Sequence, residues 1–304
     1  MNSNLLEYYF EKLDYKTMPE FLIKYLDTPC LKRLKKIGYF CGMDYASKNI
    51  YDFKEYITRY DHSLTVALLT WKCTHNKEST LAGLFHDIST PCFSHVIDYM
   101  NKDYENQEST EQYTEDILKN DKYLIECLKQ DNINIEDIIN FKKYSIVDNE
   151  RPKLCADRLD GVILTGMSWT KNVQSDDIDN ILNDIDIYDN EIGFKTKEIA
   201  NKVVEVSKSI DIYCHSNEDN YMMELLATIT RYGINKGYIT YKELYVSNEE
   251  DILNKLKNTD DAELLTYINK FENITESEIP DISLKNVKTR DLNPLVEGER
   301  LNKF

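Results

Sequence analysis

Only 9 glycines and 6 prolines punctuate a chain of 304 residues. A backbone that turns often needs those residues, so their scarcity favours long helices over a many-turned β architecture. The length suffices for a substantial core, in one large domain or one domain with a small appendage. Leu64, Ala67, Leu68 and Trp71 fall at i, i+3, i+4 and i+7, a helical stripe. Leu81-Ala82-Gly83-Leu84-Phe85 is apolar all round, as in a buried helix whose end carries His86 and Asp87. Further helices are expected over 4–14 and 18–37, the second interrupted near Asp27-Thr28-Pro29, where Asp27 or Thr28 caps and Pro29 opens the next turn. Others are expected over 93–100, near 110–130, and over 134–143, 150–165, 196–209, 217–234 and 248–257. Residues 39–56 read as a loop with a short helix, and the polar chain after Asn273 as an extended or β-like tail. One hairpin is expected over Asp184–Lys195, where Ile185, Ile187 and Tyr188 face Ile192 and Phe194 across Asp189-Asn190-Glu191. The fold class is therefore all-α, with at most a small β-hairpin near 184–195.

The formal net charge of −17 excludes an extended nucleic-acid surface, since no basic stripe can neutralise many phosphates. It does not exclude a small anionic substrate, because exposed charges are screened beyond roughly 8–10 Å. No apolar run approaches the roughly 20 residues that span a bilayer. The start, Met1-Asn2-Ser3-Asn4, lacks the basic and apolar stretches of a secretory signal. Seven scattered cysteines (Cys30, Cys41, Cys73, Cys92, Cys127, Cys155 and Cys214) form no CxxC pair, so neither a disulfide framework nor a zinc knuckle is indicated. A reduced, cytoplasmic protein is expected. The 22 tyrosines are dispersed and read as packing residues rather than base-stacking platforms.

Chemistry concentrates in the order His62, then His86-Asp87, then Asp157, in a chain with five histidines. Mixed imidazole and carboxylate ligation with room for water suits metal-assisted hydrolysis. A lone His62 opening an amphipathic helix also reads as a capping or surface residue. An ionised Asp87 at the end of a buried helix needs a partner. A metal supplies one directly, and Arg59 or Arg158 supplies one as a salt bridge. Both readings stand on the residues alone.

Four segments narrow the choice: Leu26-Asp27-Thr28-Pro29-Cys30-Leu31-Lys32-Arg33-Leu34-Lys35-Lys36-Ile37, Arg59-Tyr60-Asp61-His62-Ser63-Leu64, Leu84-Phe85-His86-Asp87, and Pro91-Cys92-Phe93-Ser94-His95-Val96-Ile97-Asp98. In order and spacing they resemble the HD-domain phosphohydrolases, closest to the deoxynucleoside triphosphate triphosphohydrolases and their bacterial relatives. Tyr213-Cys214-His215 and Gly237 to Leu244 look like later helices of that family. The resemblance implies an HD-domain helical bundle with a metal-binding core over 1–175. A mostly helical extension over 176–304 packs on that core, with a soft boundary near 170–185. It implies one divalent transition metal (Mn, Fe, Ni, Co or Zn) held by His62, His86, Asp87 and Asp157. It further implies substrate contacts from Arg59 and Arg158 and catalytic roles for His95, Asp98 and Glu108. Each has a structural alternative: Arg59 as a clamp on Asp61 or Asp87, Arg158 as a salt bridge to Asp160, His95 as a core histidine, Asp98 as a surface residue. Lys288 and Arg290 in the tail either reach a phosphate or are solvated.

The chain also departs from that family. Thr90 replaces a histidine in the His86-Asp87-Ile88-Ser89-Thr90 segment, and Gln107-Glu108 stands where the family has His-Glu. An amide cannot donate and recover a proton as imidazole does. Tyr39, Gly161 and Thr165 occupy positions where the family reads nucleoside and sugar with glutamine, tyrosine and aspartate. The expected function is metal-dependent phosphohydrolysis of a nucleotide or related phosphoester through a metal-activated water. The alternative is a catalytically retired nucleotide sensor or protein-binding module. Expected partners are a small phosphorylated substrate and, by analogy, further copies of the chain, with no membrane and no extended nucleic acid.

Overall fold

The computed structural model describes residues 4–104, 109–282 and 288–302. Helices dominate, and their starts are set by side chains that satisfy the otherwise orphaned first N–H groups. Arg59–Thr74 begins at a capping box: Thr58 Oγ1 accepts from the Asp61 N–H, and Asp61 Oδ2 accepts from the Thr58 N–H at 2.8 Å. His75 ends it in the left-handed region (φ 48°), and Asn76 caps the next helix, Lys77–Phe85, by accepting from the Ser79 N–H. These two helices pack closely, and Gly83 makes the approach possible, since a Cβ there would lie 3.1 Å from Thr70 Oγ1. Arg59–Thr74 is central: Leu64, Ala67 and Leu68 of the expected stripe are buried, but so are Val66 and Leu69 on its other side.

The expected helix over 18–37 is instead a series of short turns, Glu20–Ile23, Lys24–Asp27, Pro29–Arg33 and Leu34–Lys36. Proline forces the residue before it out of the helical region, and Thr28 is extended at ψ 132°. Thr28 Oγ1 donates to the Tyr25 carbonyl instead of capping. After Pro91 the chain makes two consecutive left-handed residues, Phe93 (φ 65°) and Ser94 (φ 45°), so the following helix starts late, at Val96–Asn101. The helix expected from 150 likewise begins at Ala156 and runs to Ser168, leaving 149–155 as loop.

The hairpin forms as β1 (Ile185–Tyr188) and β2 (Glu191–Phe194). Its turn is the pair Asp189-Asn190, both at positive φ, with Glu191 already in register opposite Tyr188. One hairpin is not the whole sheet. The tail returns as β3 (Leu295–Val296), parallel to β2, and β4 (Glu299–Arg300), giving the order β1-β2-β3-β4. Gly193 admits the tail, because a Cβ there would lie 2.6 Å from the Leu295 carbonyl oxygen, and Arg300 Nη2 donates to Glu191 Oε2 at 2.6 Å.

One connected cluster of buried apolar side chains runs from Leu5 to Val296. Its largest fully buried members include three tyrosines, each with its hydroxyl bonded to an aspartate: Tyr9 to Asp160 (2.8 Å), Tyr25 to Asp131 (2.7 Å) and Tyr51 to Asp219 (2.7 Å). Tyrosine can thus fill core volume without an unpaired hydroxyl. Asn217–Asn235 packs on Val96–Asn101, and Lys197–Cys214 on Ala156–Ser168, so late helices back the segments that carry His95 and Asp157. No helix among the described residues is long and apolar enough to cross a membrane. Gly193→Ala should push the tail off β2 and lower the denaturant midpoint, at a cost of about 1–3 kcal/mol.

Candidate metal centre

Three helix ends converge. The first turn of Arg59–Thr74 carries Arg59 and His62, the end of Lys77–Phe85 presents His86 and Asp87, and the first turn of Ala156–Ser168 carries Asp157 and Asp160. His62 Nε2 lies 3.1 Å from Asp157 Oδ1 and 3.8 Å from Asp87 Oδ2. His86 Nε2 lies 3.5 Å from Asp157 Oδ1 and 3.8 Å from Asp87 Oδ1. One donor atom from each of His62, His86 and Asp87 falls within 4.8 Å of the other two. Two ligands held about 2.1 Å from one ion at right angles sit about 3 Å apart, so this spacing suits a shared cation.

The outer contacts orient both rings. His62 Nδ1 is 2.7 Å from Asp160 Oδ2, and Asp160 Oδ1 accepts the Tyr9 hydroxyl. His86 Nδ1 donates to the Gly83 carbonyl at 2.7 Å. Each ring therefore turns Nε2 toward the carboxylates, the arrangement by which outer-shell acceptors fix a metal-binding tautomer. His86 Nε2 is buried and has no hydrogen-bond partner among the described residues. An orphaned acceptor among carboxylates is a costly arrangement until a cation joins it. The donor set fits a divalent transition metal.

The electrostatics agree. Burial opposes ionisation of Asp87, but His86, Arg59 and His62 outweigh it and hold the carboxyl at about 2. Burial likewise opposes the charge on Asp157, yet the contact with His62 and the nearby His86 imidazole keep it well below the carboxylate range. Burial alone would depress His62; hydrogen bonds to Asp157 and Asp160 lift it to about 10. The pocket thus demands positive charge, which protons supply when no divalent ion does.

Arg59 is buried and donates from Nη1 to Asp87 Oδ2 (2.8 Å), from Nε to Ser94 Oγ (3.1 Å) and from Nη2 to the Tyr39 carbonyl (3.3 Å). Asp61, its other candidate partner, is spent on the helix cap. Arg158 pairs with Asp148 at 2.9 Å and donates to Asn149 Oδ1 and the Lys153 carbonyl, not to Asp160, which His62 takes. His95 Nδ1 sits 2.9 Å from Asp98 Oδ2, and Asp98 is fully buried rather than at the surface, accepting from the Ser109 N–H as well. Glu108 and Gln107 lie outside the described residues. Thr90 is buried, and its hydroxyl has no hydrogen-bond partner among the described residues.

His62, His86, Asp87, His95, Asp157, Arg59 and Arg158 all line one cavity of about 540 Å³, together with Tyr39, Gly161 and Thr165. Tyr39 fills the space over Gly161, its hydroxyl lying 3.2 Å from where a Cβ would stand. Four further cations reach the same cavity: Lys142, which pairs with Glu111, and Arg151, Lys288 and Arg290. Arg290 is seated by Asp211 Oδ1, which accepts its N–H, and by Ser207, whose hydroxyl donates to its carbonyl. Burial, reinforced by Arg290 and Arg158, presses Arg151 down to about 10. Sequence reasoning passed over Arg151 and the role of Asp160. Asp160 had a signal, since it lies one helical turn from Asp157 and so on the same face.

Residues 59–191 match the family model described as HD domain. This match supports membership of the HD-domain superfamily, whose members are generally metal-dependent hydrolases. The chain is also similar to YdhJ, an uncharacterized protein of Bacillus subtilis (strain 168), at 27% identity over 247 residues, covering 79% of this chain and 74% of that protein. Asp160→Asn removes the charge that orients His62. Metal affinity, measured by titration calorimetry, should fall about 10–100-fold while the fold persists.

Proposed function

We propose that this chain is a metal-dependent phosphohydrolase acting on a nucleotide or a related phosphoester. The observation that carries the reading is the convergence of His62, His86, Asp87 and Asp157 in a cavity that also gathers Arg59, Arg151, Arg158, Lys288 and Arg290. These five and Lys142 put six Lys and Arg side chains around one cavity, which in a chain of net charge −17 suits an anionic ligand. When bound, a divalent transition ion supplies Lewis acidity and lowers the pKa of water.

The chain's own residues do the rest. Arg59 divides its guanidinium between Asp87 and the cavity, so it can meet a phosphoryl oxygen while still steadying a metal-holding carboxylate. Arg158 is braced by Asp148 and Asn149, which fixes a cation at the opposite side of Asp157 in the sequence from Cys155. Asp98 holds His95 through Nδ1 and leaves Nε2 as the nitrogen that can exchange a proton with the leaving group. Seven unpaired cysteines are consistent with the reducing, cytoplasmic setting proposed for the protein. Assembly into a homo-oligomer is part of the same proposal, by analogy only.

A second reading, a retired nucleotide sensor, is favoured by Thr90, which lies buried where the resembling family keeps a histidine. Release of phosphate, pyrophosphate and triphosphate from a nucleotide panel, with Mn, Fe, Ni, Co or Zn added, separates the two. The enzyme reading expects turnover with at least one metal. It also expects Asp87→Ala to lose both metal, by elemental analysis, and turnover. His95→Gln should keep the metal and lower the rate about 10²–10⁴-fold. Tight nucleotide binding without turnover under every metal would favour the sensor, and full activity in metal-free Asp87→Ala would defeat the enzyme.

A further inference from the structure

Besides Asp87 and Asp157 the cavity is lined by Glu111, Asp148, Glu150 and Asp219, and the last of these is the one the metal-binding and cation-bracing contacts leave aside. Asp219 lies in the first turn of Asn217–Asn235 and is only 8% exposed, yet it lines the same cavity. A carboxylate three residues after a serine cap can fold back onto the cap's own N–H. Asp219 does not: Ser216 caps its N–H at 3.1 Å, while its own Oδ1 reaches across to accept the Tyr51 hydroxyl at 2.7 Å. Its Oδ2 has no hydrogen-bond donor among the described residues, and it is not sealed off as a buried orphan, so it opens toward the cavity. No ion pair among the described residues neutralises it: Arg290 is near enough to act through its charge, but its Nε is turned to Cys214 Sγ at 3.3 Å. Burial, only partly offset by Tyr51, Arg290 and His215, leaves the carboxyl raised to about 7.

Aromatic rings lead from the metal-binding donors to this oxygen. His62 meets Tyr39 at 5.1 Å between ring centroids, Tyr39 meets Phe40 at 5.3 Å, and Phe40 stacks on Phe53 at 4.2 Å. Phe53 then meets Tyr51 at 5.4 Å, whose hydroxyl holds Asp219. An aromatic wall whose stacked portion, Phe40, Phe53 and Tyr51, ends in a half-satisfied acceptor is a surface that a planar ring with a hydrogen-bond donor at its edge would match. Tyr39, Gly161 and Thr165 have meanwhile replaced the side chains with which the resembling family reads its nucleoside.

We propose that Asp219 is a specificity-determining residue whose Oδ2 accepts a hydrogen bond from an N–H or O–H group on the nucleoside part of the substrate. The inference rests on the phosphohydrolase reading above. The donor has two sources, an amino group on the base or a hydroxyl on the sugar, and the test separates them. Binding or kcat/KM is measured for purine nucleotides with and without the base amino group, and for ribo, 2′-deoxy and 2′,3′-dideoxy forms, with manganese present. In the natural protein, removing the responsible donor should cost about 10–100-fold, the usual consequence of leaving a buried acceptor unpaired. In Asp219→Asn, where Oδ1 can still serve Tyr51 and an amide N–H faces the ligand, that ratio should collapse to within about twofold. Tyr51→Phe keeps the ring, removes only the partner of Oδ1, and should retain the discrimination. Loss of discrimination in Tyr51→Phe as well would assign Asp219 a merely structural role. Discrimination that persists in Asp219→Asn would overturn the proposal and leave the phosphohydrolase reading standing. The same holds if inorganic phosphate binds the manganese-loaded protein but no nucleotide does. Failure of inorganic phosphate and every nucleotide to bind would overturn both.

Discussion

Three aspartates drawn toward two imidazoles create a demand for positive charge in the interior, and much of the fold is arranged to meet it. Asp160 ties the N-terminal helix, through Tyr9, to the first turn of Arg59–Thr74, through His62. Asp87 draws in Arg59, which in turn fastens the Ser94 side chain and the Tyr39 carbonyl. Glu249, fully buried, joins the same two loops from behind, accepting from the Gly38 N–H through Oε2 and the Phe93 N–H through Oε1, each at 2.9 Å. Chain segments distant in sequence are thus held by a few charged contacts whose geometry also sets the candidate site. An interior charge left without a partner is expensive, so these contacts restrict the fold as much as apolar packing does.

Positive charge is gathered as selectively as negative charge. The cavity wall takes Arg59 from one helix start, Arg151 and Arg158 from either side of another, and Lys288 and Arg290 from the returning tail. The surface of the protein is acidic overall, but screening limits its reach, and a local field of opposite sign survives inside a concave, partly desolvated wall.

Some of this was legible in the sequence, and the reason is local. Thr58 and Asp61 announce a helix start three residues apart, the run ending at Phe85 marks a buried helix end, and Asp189-Asn190 marks a turn. What could not be read depends on distant partners. Arg158 looked toward Asp160, its near neighbour, whereas the fold gives Asp160 to His62 and offers Arg158 the loop residue Asp148. The break of 18–37 at Thr28-Pro29 is legible, but the further splitting into the short turns Lys24–Asp27 and Leu34–Lys36 is not. Strands of two residues carry no readable period, so the second hairpin emerges only from the gap at Gly193. Asp219 carries no signal in the sequence, because its partner Tyr51 lies 168 positions away.

The tail hairpin has an implication for biosynthesis. Arg290 is seated just before the stretch that Gly193, Glu191 and Arg300 clasp into the sheet. By residue 160, more than a hundred positions before Lys288 and Arg290, His62, His86 and their aspartates are all synthesised. The cationic wall facing them closes only after translation has passed Arg300, so a half-made chain carries the ion-gathering groups without the full surround for an anion.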